Sequence, residues 1–248
     1  MNNDMQTDVI ILAAGKGKRM GSKDLPKVLF VVNGKPMIVR LIQEINLLEN
    51  VRPIIVVGFM KELVIKSLGN NFEYVEQIEQ RGTAHAVHSA KDIIVSKNVA
   101  VLYGDMPFIK HTSIQRLIQE HEKQENILTM FTTIVPNFEG IYETFKGFGR
   151  IVRSEDGRIQ KIVEYADATE EEKNITEVNT GIYIFDSQWL WGVLPKIQND
   201  NMQGEFYLTD TIGFAVSAGG KVEGISIEPK EVYGINTQEQ LNQAHFLT

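Results

Sequence analysis

A basic, glycine-rich stretch near the start of the sequence, AAGKGKRMGSKDLPK at positions 13–27, has the residue types needed to bind a phosphate group. Its glycines allow backbone N–H groups to approach an anion without side-chain obstruction, and a nest of such groups suits phosphate oxygens. In a chain of net charge −7, five cations gather here against one acid, Asp24. The cations are Lys16, Lys18, Arg19, Lys23 and Lys27. The stretch therefore predicts a loop that wraps a polyphosphate.

Two common phosphate-loop patterns do not fit this stretch. The dinucleotide fingerprint G-x-G-x-x-G, begun at Gly15 and Gly17, would need a third glycine at Met20. The Walker pattern fails as well, because no glycine here is followed at the right distance by Gly-Lys-Ser/Thr. The spacing therefore excludes a nucleotide-dependent dehydrogenase. For the loop taken alone, a plain surface turn is the alternative interpretation.

Two further groups of residues could do chemistry. Asp105 ends the apolar run NVAVLYGD, at the kind of position where open α/β sheets place their ligand sites, although a Gly-Asp pair also makes simple turns. His85 and His88 lie three positions apart in a predicted helix, a spacing that a metal pair could use. No third ligand is obvious in the sequence, so we expect these histidines to pack rather than to bind a metal.

The composition limits the class of protein. The chain has 248 residues, of which 43% are apolar, enough for one sizeable core. Its acidic balance argues against a nucleic-acid partner, and the absence of cysteine excludes disulfides and thiolate sites. The apolar run after the polar start MNNDMQTD is too short for a signal peptide core or a membrane span. We therefore expect a cytoplasmic protein without a membrane partner, and the sequence makes no prediction of the oligomeric state.

The elements that must position these residues alternate between strands and helices in the first half. Short, doubly apolar runs predict buried parallel strands, and stripes at helical spacing predict the helices between them. Such alternation indicates βαβ units and a mostly parallel sheet covered on both faces. The predicted strands lie at 9–14, 53–58, 72–77 and 98–105, and the predicted helices at 35–48, with Pro36 in the first turn, 60–68 and 82–94.

The second half has a different pattern. Asp156-Gly157, set between two alternating runs, predicts a hairpin over 148–165. Thr112 with Gln115, and Thr237 with Gln240, predict capping boxes that begin two helices. We expect one α/β domain over 1–248, with a small antiparallel insertion. Its remaining elements are predicted as strands at 127–135, 177–185, 221–227 and 231–236 and a helix at 205–218.

A resemblance to a known family joins these features. LAAGKGKRM followed by LPKVL resembles the signature L-x-x-G-x-G-x-R, then P-K, of the sugar-phosphate nucleotidyltransferases. Within that superfamily the chain resembles the uridylyltransferase domain of bacterial N-acetylglucosamine-1-phosphate uridylyltransferases. The resemblance covers almost the whole chain and continues, in order, through QIEQRGTAHA, YGDMP, GFGRIV, KIVEYADAT, EVNTGIY, FYLTD and GINT. It implies a three-layer, Rossmann-like mixed sheet, the nucleotide-diphospho-sugar transferase fold.

The resemblance also implies a role for each matching residue. A sugar 1-phosphate would attack the α-phosphorus of UTP, and Arg19 and Lys27 would stabilise the charge of the reacting phosphates. Asp105 and Asn236 would be the ligands of a Mg²⁺ cofactor. Tyr103, Gly149, Glu164 and Asn179 would bind the sugar. The nucleotide would be bound by Leu12, Ala13, Ala14, Gly15, Gly17, Gln77, Gly82 and Thr83.

The substrates implied by the resemblance are UTP and a hexose 1-phosphate, with N-acetylglucosamine 1-phosphate as the expected sugar. Two alternatives stay open: another base or sugar, such as dTTP with glucose 1-phosphate, and a non-catalytic nucleotide-sugar-binding module. The bifunctional enzymes of the family continue into a left-handed β-helix of hexapeptide repeats that carries an acetyltransferase. The chain has no such repeat, so we expect no acetyltransferase activity.

Overall fold

The computed structural model describes residues 7–247, which form an α/β fold around one large mixed sheet. The strands are Thr7–Ala13 (β1), Val31–Val32 (β2), Lys35–Pro36 (β3), Val51–Val57 (β4), Glu73–Glu76 (β5), Asn98–Tyr103 (β6), Leu128–Ile134 (β7), Arg150–Arg153 (β8), Ile159–Val163 (β9), Glu177–Asp186 (β10) and Val222–Ser226 (β11). The helices are Met37–Ile45 (α1), Lys61–Leu68 (α2), Thr83–His88 (α3), His111–Gln124 (α4), Glu170–Lys173 (α5), Ser187–Val193 (α6), Asp210–Ser217 (α7) and Gln238–Ala244 (α8).

The main sheet follows the order β11-β7-β10-β6-β1-β4-β5, and β8 and β9 attach beside β10. Strands β6, β1, β4 and β5 are parallel neighbours, as are β7 and β11. Strand β10 runs antiparallel to β6 and β7, and β8 with β9 forms the predicted hairpin. The predicted fold class, a mostly parallel mixed sheet with a small antiparallel insertion, is confirmed.

Alternate residues of β1 enter two apolar cores, one on each face of the sheet. Val9 and Ile11 belong to the core that contains the apolar residues of α1 and α4, whereas Ile10 belongs to the core that contains those of α3 and α7. All three side chains are fully buried. Because successive side chains of a strand point to opposite faces, a doubly apolar strand needs helices on both sides. This is the predicted three-layer arrangement.

Several predicted helices are shorter in the structure. The helix expected over 35–48 is α1, Met37–Ile45, because Lys35 and Pro36 pair with β2, so that Pro36 is the N-cap rather than a first-turn residue. The helix expected over 82–94 is α3, followed by a separate 3₁₀ turn at Lys91–Ile93. The helix expected over 205–218 begins only at Asp210, because the backbone of Phe206 pairs with that of Arg81 and Ala84.

The capping box predicted at Thr112 and Gln115 is wrong. Helix α4 has Lys110 as its N-cap, without a capping side chain from the first turn. Carboxylates from distant parts of the chain cap the helix instead. Oε2 of Glu231 accepts from the Lys110 amide at 3.1 Å, and Oε2 of Glu44 accepts from the His111 amide at 2.9 Å. The orphan N–H groups of the first turn are thus satisfied by tertiary contacts. The box predicted at Thr237 and Gln240 is confirmed at the start of α8.

The strand predicted over 231–236 is also absent from the described chain, where these residues form turns and irregular backbone. The segment does not extend the sheet. Its Ile235 amide instead donates to the carbonyl of Asp105 at 3.1 Å. Across residues 7–247 no helix has the length and apolar character needed to cross a bilayer.

Candidate functional site

A cleft of about 460 Å³ opens at the carboxyl ends of the parallel strands β1 and β6. Its walls come from the ends of both strands, the glycine-rich loop, the segment after β5 and the start of α3. It contains eleven of the residues predicted for the site: Leu12, Ala13, Ala14, Gly15, Gly17, Lys27, Gln77, Gly82, Thr83, Tyr103 and Asp105. Open α/β sheets bind ligands at this edge, so the fold brings the nucleotide-binding residues of the prediction together.

The glycine-rich loop closes one end of the cleft. Gly17 and Gly21 both have left-handed backbone conformations, with φ of 59° and 72°, and they flank a 3₁₀ turn at Lys18–Met20. Gly17 also packs closely against the segment that carries Lys27, since a Cβ added at position 17 would lie 2.6 Å from Cβ of Lys27. Glycine is therefore needed at this position for conformation and for close approach.

The charged residues converge at the mouth of the cleft. The Lys27 ammonium forms a short ion pair with Oδ2 of Asp105 and donates to Oδ1 of Asn236 at 2.8 Å. Nη2 of Arg19 donates to the same Oδ1 at 3.2 Å. The side chains of Lys27 and Asp105 are 18% and 10% exposed, so this ion pair is largely removed from water. The two predicted catalytic residues and the two predicted metal ligands therefore form one cluster.

Local elements hold this cluster in place. Asp105 lies two residues after the end of β6, and the Gly104 amide before it donates to the carbonyl of Leu12 at 3.0 Å. Asn236 precedes the cap of α8, and its own amide donates to Oε1 of Gln240 at 2.7 Å. The Ile235–Asp105 hydrogen bond described above joins the two loops. Asn236 is thus fixed by the same capping box that begins the last helix.

The oxygens of Asp105 and Asn236 suit a divalent cation. Both accept from the same Lys27 Nζ, so a carboxylate and an amide oxygen already face one positive charge. In residues 7–247 no three Asp, Glu, His or Cys side chains group as a metal cage would. Two protein oxygens with room for phosphates and waters is the donor set that Mg²⁺ accepts in phosphate sites.

Gln77 lies on the wall opposite the glycine-rich loop and is only 4% exposed. Its backbone amide donates to the carbonyl of Val57 at 2.8 Å. Its side-chain Nε2 lies 3.2 Å from the Gly82 carbonyl and 3.1 Å from Nδ1 of His85. The side-chain oxygen accepts no hydrogen bond from any described residue, so it is free to accept one from a ligand.

The start of α3 is tied to the segment before α7. The Phe206 amide donates to the carbonyl of Arg81 at 2.9 Å, and the Ala84 amide donates to the carbonyl of Phe206 at 3.0 Å. Oγ1 of Thr83 accepts from the Leu208 amide at 3.0 Å. Gly82 lies between these bonds with φ of 114°, where a Cβ would approach Phe206 O to 2.5 Å.

The predicted sugar-binding residues do not all line the cleft. Tyr103 does, whereas Glu164 lines an adjoining cavity of about 300 Å³ beside Tyr207 and Asp210. Gly149 lies next to both Asn179 and Glu164. Its carbonyl accepts from the Asn179 amide at 2.8 Å, and a Cβ on it would lie 3.6 Å from Oε2 of Glu164. Gly149 and Asn179 line neither the cleft nor this second cavity.

Burial acts on the two titrating groups among these residues, Glu164 and Tyr103. Burial raises the pKa of Glu164, the hydrogen bond from Thr209 Oγ1 at 2.9 Å opposes this, and nearby acids, first Asp210, add to the rise. Burial also raises the pKa of Tyr103, and the charges of Glu164 and Asp105 add to it. In both groups burial therefore favours the protonated form.

Sequence reasoning missed several residues of the site. Lys16 and Lys18 line the cleft and were visible only as part of the cationic cluster. Gln80 and Glu205 also line it. Gln80 lies in the block QIEQRGTAHA and Glu205 next to FYLTD, so proximity to these blocks was the available signal. His85 had been expected only to pack, yet it contacts Gln77.

The family of the chain follows from comparison with known proteins. The family model described as the MobA-like NTP transferase domain matches residues 9–145, which include the glycine-rich loop, Gln77 and Asp105. The chain belongs to this nucleotidyltransferase family. Among curated relatives, the bifunctional protein GlmU of Brevibacillus brevis is 41% identical over 238 residues. The bifunctional protein GlmU of Caldicellulosiruptor saccharolyticus is 46% identical over 237 residues.

These two alignments cover 95% and 94% of this chain but 50% of each relative, so the chain spans about half the length of the curated relatives it matches.

Solved structures of other nucleotidyltransferases share the fold. A Bacillus anthracis protein described as a glucose-1-phosphate thymidylyltransferase, in complex with sucrose, has a TM-score of 0.78 at 23% identity over 97% of this chain and 94% of that one. A UDP-glucose pyrophosphorylase complexed with UDP-glucose has a TM-score of 0.74 at 19% identity over 98% of each chain.

Proposed function

We propose that the chain transfers a uridylyl group from UTP to N-acetylglucosamine 1-phosphate and releases pyrophosphate. The observation that carries the proposal is the convergence of Lys27, Arg19, Asp105 and Asn236 at the mouth of a glycine-lined cleft. This arrangement answers the main difficulty of the reaction, which is the approach of two polyanions. The likeness of the chain to GlmU proteins over nearly its full length supports it.

The chemistry needs cations rather than a general base. An anionic oxygen of the sugar phosphate attacks the α-phosphorus, a P–O bond forms, and the bond to the bridging oxygen of the β-phosphate breaks. Its electron pair leaves with pyrophosphate, and no proton has to move. Lys27 and Arg19 stabilise the charge on the reacting phosphates, as preorganised donors do in other electrostatic sites. To reach the phosphate oxygens, Lys27 first gives up its contacts with Asp105 and Asn236.

The same proposal includes Mg²⁺ bound by Asp105 and Asn236. When bound, the ion supplies charge neutralisation and a template for the triphosphate. The chain holds the two oxygens on separate loops, which are joined where the Ile235 amide donates to the carbonyl of Asp105. The remaining coordination positions are left for phosphate oxygens and water.

The base would lie against Gln77, whose free side-chain oxygen accepts the N3–H of uracil. Thymine carries the same N–H, so Gln77 alone does not separate the two bases. Transfer from dTTP to glucose 1-phosphate is therefore the second candidate. A pyrophosphate-release assay over UTP, dTTP, CTP and ATP, each with N-acetylglucosamine 1-phosphate and glucose 1-phosphate, decides between them. Highest kcat/KM with dTTP would contradict the uridylyl assignment.

Replacement of Lys27 tests the site itself and the non-catalytic alternative. Lys27→Ala removes one preorganised donor, so kcat should fall about 10²–10³-fold while the fold is retained. Lys23→Ala is the matched control, because Lys23 belongs to the same basic stretch but is exposed and lies outside the cleft. Equal turnover in the two variants would show that the reaction does not use this cluster. No turnover in the wild type with any pair of substrates would favour a binding module.

The organisation of residues 1–248 as one domain and the cytoplasmic location stay predictions.

A further inference from the structure

One residue outside the proposed contacts, His85, lies against the side chain of Gln77. His85, the third residue of α3, brings its Nδ1 to 3.1 Å from Nε2 of Gln77. The same Nε2 lies 3.2 Å from the Gly82 carbonyl. Gln77 is therefore held at its amide nitrogen by two partners, while its oxygen has none among the described residues.

The donor and acceptor roles in this group follow from the carbonyl. A backbone carbonyl only accepts hydrogen bonds, so the atom of Gln77 that faces Gly82 has to be the amide nitrogen. The second N–H of that nitrogen then points to His85, where Nδ1 has to accept it. An imidazole that accepts at Nδ1 is neutral and carries its proton on Nε2. The geometry thus fixes both the orientation of the Gln77 amide and the tautomer of His85.

The surroundings of His85 keep the ring neutral. Burial lowers its pKa, and the nearby charges of Arg81 and His88 lower it further. The side chain and the backbone carbonyl of Glu79 act in the opposite direction without reversing the result. Nδ1 is therefore available as an acceptor at neutral pH.

We propose that His85 is a positioning residue for base selection, which holds the Gln77 amide with its oxygen toward the ligand. The inference rests on the proposed function, in which Gln77 meets the base. An oxygen in that place accepts the N3–H of uracil or thymine. It repels N3 of cytosine, which carries a lone pair instead of a proton. Without His85 the amide keeps a single bond to Gly82 and can turn its NH₂ toward the base.

The test compares three variants by their binding of UTP and CTP in calorimetry and by kcat/KM with each nucleotide. His85→Leu removes the acceptor and should reduce the UTP-over-CTP preference by about 10-fold, the value of one hydrogen bond, through KM and Kd rather than kcat. His85→Asn places Oδ1 near the position of Nδ1 and should restore the preference. His88→Leu is the matched control, because His88 is an exposed histidine of the same helix; it should leave the preference unchanged.

A spectroscopic readout checks the proposal independently of turnover. Long-range ¹H–¹⁵N NMR spectra of the wild type should show the His85 proton on Nε2, with Nδ1 unprotonated. A proton on Nδ1, or a UTP preference that survives in a folded His85→Leu variant, would overturn the inference alone. A wild type that binds CTP as well as UTP would instead contradict the uridylyl proposal, so the two failures are distinguishable.

Discussion

The close contact between Gly17 and Lys27 gives a sharp test of the proposed charge cluster. A Cβ at position 17 would lie 2.6 Å from Cβ of Lys27, whereas ordinary contacts begin at 3.4 Å. Gly17→Ala therefore has to push the two segments apart by about 0.8 Å, the difference between these distances. A shift of that size is enough to break the 2.8 Å bond from Lys27 to Asn236.

The expected loss follows from the effect of displaced catalytic groups. A misplacement of about 1 Å can cost about 10²-fold in rate, so Gly17→Ala should lower kcat/KM by about that factor, equivalent to about 2.7 kcal/mol. Gly21→Ala is the control, because Gly21 has a similar left-handed φ of 72° at the other end of the same turn but would meet nothing within 4 Å. Both variants should lose about 1–2 kcal/mol of stability from backbone strain. Only Gly17→Ala should lose activity.

The assay is pyrophosphate release under saturating and limiting UTP, with thermal unfolding measured on each variant. A double-mutant cycle identifies the route of the effect. If Gly17→Ala acts through Lys27, it should cost almost nothing further in a Lys27→Ala background. Equal activity of Gly17→Ala and Gly21→Ala, or a full additional loss in the Lys27→Ala background, would refute the reasoning.

Three further predictions concern stability in acid, the proposed base-binding side of the cleft at Gly82 and the metal ligands. Burial, the largest cause, lowers the pKa of His121 from 6.5 to about 4. Only the unfolded chain takes up this proton as the pH falls through that range, so the free energy of unfolding should drop by about 3 kcal/mol; urea titrations should show this, and a flat profile would contradict it. Gly82→Ala would place a Cβ 2.5 Å from Phe206 O. Because this pushes the start of α3 away from the segment of Phe206, KM for UTP should rise at least about 10-fold. An unchanged KM would argue against binding of the base at Gln77 and Gly82. Asp105→Asn removes the charge on the proposed ligand, so calorimetry should show Mn²⁺ binding weakened by at least about 10-fold; equal affinity would place the metal elsewhere.

Features that depend on neighbours in the chain could be predicted from the sequence. The short, doubly apolar runs of the strands led to a sheet covered on both faces, and Ile10 with Ile11 of β1 shows that division. The Asp156-Gly157 turn led to the hairpin, and Thr237 with Gln240 led to the confirmed capping box of α8. In the hairpin and the capping box the interacting groups are only a few residues apart, and in the strands the apolar run itself marks burial on both faces, so the local pattern contains the information.

Helix and strand limits that depend on distant partners could not be predicted. The signal at Thr112 had the form of a capping box, but carboxylates of Glu231 and Glu44 satisfy the first turn of α4 instead. The alternating run at 231–236 resembles a strand, yet it leaves the sheet and bonds to the loop of Asp105. Local propensity is a weak preference, and tertiary contacts override it where a better partner is near.

The sequence by itself therefore determined the residue types of the site, the strands that carry them and, through the family resemblance, their expected roles. Only the tertiary structure decided that Lys27, Asp105 and Asn236 meet. Asp105 is 78 positions from Lys27 along the chain and Asn236 is 209 positions from it, so no local pattern joins them. It also decided that His85 faces Gln77 rather than the core alone. Contacts of this kind depend on how strands from distant parts of the chain are ordered in the sheet, which no short stretch of sequence contains.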